Sequence, residues 1–188
     1  MPEPTDVVTL RRATPADAPM LAALRALPIT RRHQPTIPYD LPTLERRLAA
    51  SAARALMPET EGKLTWIVEH DGVPAGWLSL DITSPSQEHA TGAVGYTLRP
   101  AFHGLRVASR ALRLLIPIAF SPDGLALERL EANVAVENVA SQRVLEAAGF
   151  RHEGTARGLL VIHGERVDHH RYGLLRTDLT ALPEPGRS

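Results

Sequence analysis

Gly95-Tyr96-Thr97-Leu98-Arg99-Pro100, then His103-Gly104-Leu105-Arg106-Val107-Ala108, and farther on Glu137-Asn138 through Gly149-Phe150 are the stretches whose reading decides the fold. Residues 91–98 are rich in apolar, Thr and Gly residues and predict a strand that stops at Pro100. Residues 103–106 then form a short loop, and the apolar spacing over 107–120 predicts a helix. Such a junction turns backbone N–H groups and the positive end of a helix dipole toward one point, where a pyrophosphate is held. Any strand, loop and helix in succession has this property, so the loop alone is weak evidence. Residues 127–134 predict another strand and 138–148 another helix, which Gly149 ends in the manner of a left-handed cap.

The flanks follow the same logic. Residues 7–12 alternate as a strand, Thr14 and Pro15 open a helix, and Leu21 and Leu24 sit at helical spacing within 18–26. Several prolines interrupt residues 27–42, which predict a long irregular loop, and 43–56 return to a helical pattern through Leu44, Leu48 and Leu56. Asp71-Gly72 joins two apolar, β-branched runs, 64–69 and 75–82, as a hairpin. Residues 83–90 read as a polar loop. Past Gly149, residues 150–154 and 159–162 look extended, His163-Gly164 is a turn, and 166–175 is a last strand. Pro117, inside the helix over 107–120, is expected to kink it or end it early. The order is β-α-α-β-β-β-α-β-α-β-β, an α/β arrangement in a single domain of 188 residues with its core over about 8–178 and a frayed tail over 179–188.

Composition narrows the classes of function. The 21 basic and 21 acidic residues leave no net charge, so no global field draws the chain onto nucleic acid or anionic lipid. No apolar run approaches a membrane span and no leader opens the chain. Cysteine is absent, which removes disulfides, thiolate metal sites and Cys nucleophiles. A cytoplasmic protein without membrane or nucleic-acid partners is the expectation. Asp168-His169-His170 has the residue types of a metal cluster, but neighbours on a strand face opposite sides, so no metal is expected there. No G-x-G-x-x-G opens a first strand and helix, which argues against a dinucleotide oxidoreductase.

Taken together, Gly95-Tyr96-Thr97-Leu98-Arg99-Pro100, the loop to Ala108, Glu131 on a strand, and Glu137-Asn138, Ser141 and Val144-Leu145-Glu146-Ala147-Ala148-Gly149-Phe150 resemble the GNAT superfamily of N-acetyltransferases. Within it they are most similar to the RimJ/RimL-like branch of ribosomal-protein N-terminal acetyltransferases. Residues 151–154 and 164–170 also resemble that branch, and the likeness covers about 8–178. It implies a GNAT fold of about seven strands in a mixed, centrally splayed sheet flanked by about four helices. It implies acetyl-CoA as co-substrate and an amine as acceptor, most directly the α-amino group of a protein or peptide, and it allows a homodimer. The same chemistry on a small-molecule amine, such as an antibiotic or amino acid, and a degenerate acyl-CoA-binding module are the competing readings.

The resemblance also distributes roles. Tyr96, Thr97, Leu98 and Arg99 fall where the family's strand meets pantetheine. His103, Gly104, Leu105, Arg106, Val107, Ala108 and Ser109 fall on its pyrophosphate loop, and Asn138 on its pantetheine contact. Arg106 replaces the usual Gly and His103 the usual Gln or Arg; a positive φ at Arg106 would cost about 1–2 kcal/mol. Most of the superfamily places a Tyr acid where this chain has Leu145, whereas Ser141 matches the Ser of the RimJ/RimL-like group, so Ser141 is the expected thiol acid or hydrogen-bond donor. A protonated amine needs a proton acceptor, for which Glu131, Asp168 and His170 are the candidates. Arg31-Arg32-His33 reads as a solvated charge run or a substrate contact, Trp66 and Trp77 as core, and Tyr39 as an acceptor-site candidate.

Overall fold

The computed structural model describes residues 6–35, 39–84 and 90–181. Parts of two expected loops, 36–38 and 85–89, and most of the expected tail, 182–188, lie outside the described residues. Seven strands, β1 (Val8–Arg12), β2 (Gly62–His70), β3 (Val73–Ser84), β4 (Thr91–Leu98), β5 (Arg129–Ala135), β6 (Arg151–Ile162) and β7 (Glu165–Leu175), form one sheet in the order β1-β2-β3-β4-β5-β7-β6. The helices are α1 (Ala18–Ala26), α2 (Pro28–Arg31), α3 (Leu41–Ala53), α4 (Val107–Phe120) and α5 (Val139–Ala147).

Local chemistry accounts for the boundaries. Asp71 and Gly72 have φ of 50° and 75°, and His163 and Gly164 have 53° and 85°, the left-handed pairs that close two-residue hairpins with the right twist. The hairpin predicted from 71–72 is therefore present, and a second one joins β6 to β7. Residues 150–162, expected as two extended pieces, are one strand from Arg151 interrupted by shifts of register at 152–154 and 156–160. α3 begins two residues before the expected start because the Asp40 carboxylate accepts the Thr43 N–H at 2.7 Å, and Pro42 fits the first helical turn. Within the expected irregular loop, Pro28 starts the single turn of α2.

Pro117 does not end α4, which continues to Phe120. It lies on the exposed side, as does Arg113, whose carbonyl loses its helical partner where water can reach it. Leu115, Ile116, Ala119 and Phe120 stay buried around it, and that packing carries the helix through the proline.

Two cores cover the two faces of the sheet. Leu64, Leu78, Leu80, Leu130, Leu174 and Tyr172 pack with α4 and Leu145 of α5 on one face. Ile67 and Trp77 pack on the other with Leu21 and Leu24 of α1 and Leu44 and Leu48 of α3. Both tryptophans are core residues, Trp66 on the first face and Trp77 on the second.

Every adjacent strand pair is antiparallel except β4 and β5, which run parallel. These two share register only from Thr91–Arg129 to Ala93–Glu131. Beyond Ala93 they diverge, leaving Gly95 through Leu98 without a partner strand on that side. The mixed, centrally splayed sheet that the sequence predicts is thus the fold observed.

Candidate active site at the split between two parallel strands

The split exposes one edge of β4, and the ladder on its other edge shows which groups it exposes. Arg99 N–H donates to Ala75 O, and Thr97 and Gly95 share that register with Trp77 and Ser79. In an antiparallel ladder the bonding edge alternates residue by residue. Tyr96 and Leu98 therefore turn their N–H and C=O groups into the split, while the Val94 N–H closes the last pair with β5 at Glu131. Two of those carbonyls are met by side chains: Gln34 Nε2 donates to Tyr96 O at 3.4 Å, and His103 Nε2 lies 3.1 Å from Leu98 O. Since a carbonyl can only accept, the His103 proton is on Nε2.

Side chains on β4 go alternately to the two faces. Tyr96 packs on the α4 and α5 side. There its hydroxyl is 2.7 Å from Ser141 Oγ and donates toward Ser141 O at 3.1 Å. The single phenolic proton serves one of these at a time. When it is on the carbonyl, Ser141 donates to Tyr96; when it is on Oγ, the Ser141 proton is released toward the split. Burial pushes the Tyr96 hydroxyl well above the usual tyrosine range, the neighbouring Tyr172 adds to this, and the Ser141 bond only partly opposes it. Tyr96 therefore acts as a protonated donor at any ordinary pH.

Ser141 is placed by the start of α5. Asn138 is the N-cap, its Oδ1 accepting the Ser141 N–H at 3.1 Å. With Oδ1 committed to the cap, any contact of Asn138 with a ligand falls to its Nδ2. On the other face, Thr97 Oγ1 accepts from Gln34 Nε2 at 3.4 Å. His33, next to Gln34, is pushed below the usual histidine range by burial and by Arg32, while Glu137 acts in the opposite direction. The residues after α2 thus bridge the open end of the split, from β4 to the turn before α5.

The loop after β4 takes the shape its sequence strains toward. A 3-10 turn at Pro100–Phe102 leads to His103, Gly104 has φ of 77°, and Arg106 caps α4 in the left-handed region at φ 57°, ψ 12°. Arg106 O accepts from Arg110 N at 3.1 Å and Ser109 Oγ at 3.0 Å, so the first turn of α4 is closed while the N–H groups of Val107, Ala108 and Ser109 are left without intrahelical acceptors. Leu105 is exposed at the loop tip, and Arg99 reaches away from it to Pro74 O at 3.2 Å.

The carboxylates differ in placement. Glu131 is the last β5 residue in register with β4, at the fork of the split. It stands 3.9 Å from Arg129, whose guanidinium is engaged by Glu153 at 2.9 and 2.5 Å, and it lines a polar recess with Glu153 and Arg171. Asp168 Oδ1 accepts Gly158 N–H at 2.6 Å and so holds the irregular part of β6. His170 Nδ1 is shared between His152 at 3.1 Å and Thr155 at 2.9 Å. Tyr39 is stacked between Arg25, at 5.0 Å, and Arg47, at 4.2 Å. Among the described residues no group of three or more His, Asp or Glu side chains is spaced to hold a metal ion.

Two of these placements were not read from the sequence. The resemblance assigns Tyr96 a contact through the strand end, whereas the structure adds its hydroxyl as the partner of Ser141; the period-two spacing of Val94, Tyr96 and Leu98 carried that signal. Gln34 had no local signal.

A sheet split between parallel strands, with a helix-capping loop on one side and a Ser–Tyr pair on the opening, agrees with the acetyltransferase fold that the resemblance implies. The family model described as "Acetyltransferase (GNAT) domain" matches residues 8–151, and the chain belongs to that family. It is 41% identical over 88 residues to the Probable N-acetyltransferase YjcK of Bacillus subtilis (strain 168), covering 47% of this chain and 48% of that protein. It is 34% identical over 109 residues to the protein of the same organism named "Putative ribosomal N-acetyltransferase YdaF", covering 58% and 57%. The chain thus matches about half the length of both. Among solved structures, Mycobacterium smegmatis RimJ in complex with CoA-disulfide superposes with a TM-score of 0.73 at 24% identity, over 94% of this chain and 85% of that one, a likeness of fold.

Proposed function

We propose that the protein transfers the acetyl group of acetyl-CoA to the α-amino group of a protein or peptide, by direct attack in a ternary complex. The observation that carries this reading is the Ser141–Tyr96 pair, 2.7 Å apart, on the open part of the β4–β5 split. The residues present suit the co-substrate. His103 through Ser109 offer unpaired helix N–H groups and the Arg106 guanidinium to a pyrophosphate, and Asn138 Nδ2 faces the pantetheine path. Acetyl-CoA supplies a thioester whose carbonyl carbon the amine attacks, forming C–N and breaking C–S. The N–H groups of Tyr96 and Leu98 are the donors for the developing oxyanion. Ser141, backed by Tyr96, donates to the departing thiolate; a free thiol has a pKa of about 8.5, so this group stabilises the leaving sulfur rather than enabling an otherwise forbidden step.

Glu131 is the first choice to take the amine proton, directly or through a water molecule, because it stands at the fork and Arg129, 3.9 Å away, gives its terminal nitrogens to Glu153. Asp168, tied to Gly158, is the second. The test is thiol release from acetyl-CoA across an amine panel that includes N-terminal peptides and small amines. Turnover restricted to small amines would replace the α-amino reading, and binding of acetyl-CoA without turnover would leave only a binding module.

A further inference from the structure

The bridge over the open end of the split carries a charge pattern of its own. Residues 18–39 include Arg25, Arg31, Arg32 and His33 and no aspartate or glutamate. Arg31 and Arg32 are exposed, and among the described residues neither forms an ion pair with a carboxylate. The carboxylates on the neighbouring elements are few. Asp40 is engaged in capping α3, Glu45 lies one turn on, and the charge of Glu137 acts on His33 from the turn before α5. The bridge is also fixed to the reaction centre, since Gln34 touches Tyr96 O and Thr97 Oγ1, on the strand that holds the Ser141 partner. Arg32 and Arg31 are only two and three residues up the chain from that contact.

An acceptor peptide with its amine at the split advances roughly 3.3 Å per residue if extended, so its third to fifth residues pass about 7–13 Å out. That is the range of a two- or three-residue step of backbone plus a guanidinium arm. We infer that Arg31 and Arg32 form a basic rim that selects acceptors carrying Asp or Glu within the first few residues after the acetylated amine, and disfavours polycationic amines. The inference rests on the α-amino acetylation reading and names its substrate class.

Each exposed ion pair contributes about 1.5- to 5-fold in binding, so two together contribute about 2- to 30-fold, shrinking as salt screens them. The test uses the full chain, saturating acetyl-CoA and three peptides identical except for Asp/Glu, Gln/Asn or Lys/Arg at positions 3–5. It reads kcat/KM for each peptide at about 0.01 M and about 0.15 M salt. The expected order is acidic above neutral above basic, with a spread that narrows at the higher salt. Arg31→Glu with Arg32→Glu should reverse the order, and the Arg31→Gln, Arg32→Gln pair should level it. Equal kcat/KM for the three peptides overturns the inference, as does an acidic preference that survives both double variants. An effect of those variants confined to the KM for acetyl-CoA also overturns it. Failure of the underlying reading looks different: acetyl-CoA binds but no peptide of any charge is acetylated.

Discussion

Arg106 occupies a backbone conformation that a side chain resists, which makes it the place to test whether the α4 loop stores strain. Its φ of 57° lies in the left-handed region, costing about 1–2 kcal/mol for a residue with a Cβ. Substitution to Gly removes that cost and adds about 0.4–1 kcal/mol of unfolded-state entropy loss, whereas substitution to Ala keeps the Cβ and the strain. Both variants lose the guanidinium, and both keep the carbonyl that accepts from Arg110 and Ser109. The Gly variant is therefore expected to exceed the Ala variant by about 1 kcal/mol, which for a chain of this size is about 2–4 °C in Tm. Thermal unfolding of the free protein measures the difference. An Ala variant as stable as the Gly variant, or more so, would refute the strain argument. Repeating the scan with acetyl-CoA separates strain from recognition. If the guanidinium meets phosphate, both variants show a smaller ligand-induced rise in Tm than the parent; an equal rise in all three proteins would remove Arg106 from the coenzyme site.

Other perturbations address the reaction centre and the scaffold. Ser141→Ala should lower kcat by about 10-fold, less than the roughly 10²- to 10⁴-fold typical of a lost general acid because a thiol departs readily, with a smaller change in the KM for acetyl-CoA; an unchanged kcat would end its assigned role. Tyr96→Phe should reduce kcat in part and cost about 1 kcal/mol of stability, read from urea midpoints. Because burial raises the Tyr96 hydroxyl, it stays protonated, and kcat should show no decline from its titration up to about pH 10; an alkaline limb that disappears in the Phe variant would contradict this. Asp17 is held below the usual carboxylate range, first by its bond to Arg11, so the stability it contributes is present above about pH 4 and is lost as pH falls through its lower folded value. Asp17→Asn should cost about 1 kcal/mol at neutral pH, reduced by the partial exposure of Arg11, and nearly nothing once the parent carboxylate is protonated. An equal deficit at pH 7 and at pH 2 would show that the charge is not the source.

The parts of the fold legible in the sequence are those set by short-range rules. Residues 91–98 and 107–120 were read to the residue because Pro100 and the apolar spacing of α4 mark their limits. Asp71-Gly72 and His163-Gly164 gave the two hairpins because the left-handed pair they need is a local property. α3 was misplaced at its start because the Asp40 cap and a proline that suits the first helical turn were read as part of the preceding loop. Pro117, expected to kink α4 or end it early, does not end it, because the tertiary burial of its neighbours is invisible locally. In the candidate site, the family resemblance pointed to Ser141 and Asn138, and the structure joins them through the cap of α5. The contact of Gln34 with β4 joins residues 62 positions apart across a Pro-rich stretch, and no periodicity encodes it.

The split itself needs a physical reason to persist, since unpaired strand edges invite closure. Each wall has its own support. β4 is paired with β3 from Gly76–Leu98 to Ser84–Thr91, and β5 with β7 from Arg129–Leu175 to Ala135–His169, both antiparallel, so neither wall depends on the other beyond the three pairs at the fork. What closure would satisfy is partly satisfied already, because Gln34 and His103 occupy the Tyr96 and Leu98 carbonyls. The amides on the same edge remain for an incoming acceptor of hydrogen bonds. A strand edge with the Tyr96 and Leu98 carbonyls occupied and their N–H groups open gives a neighbouring strand too few acceptors to zip shut. Alternation along β4 then sends Tyr96 to the face of Ser141 and Thr97 to the face of Gln34, so that one strand lines the same opening from both faces of the sheet.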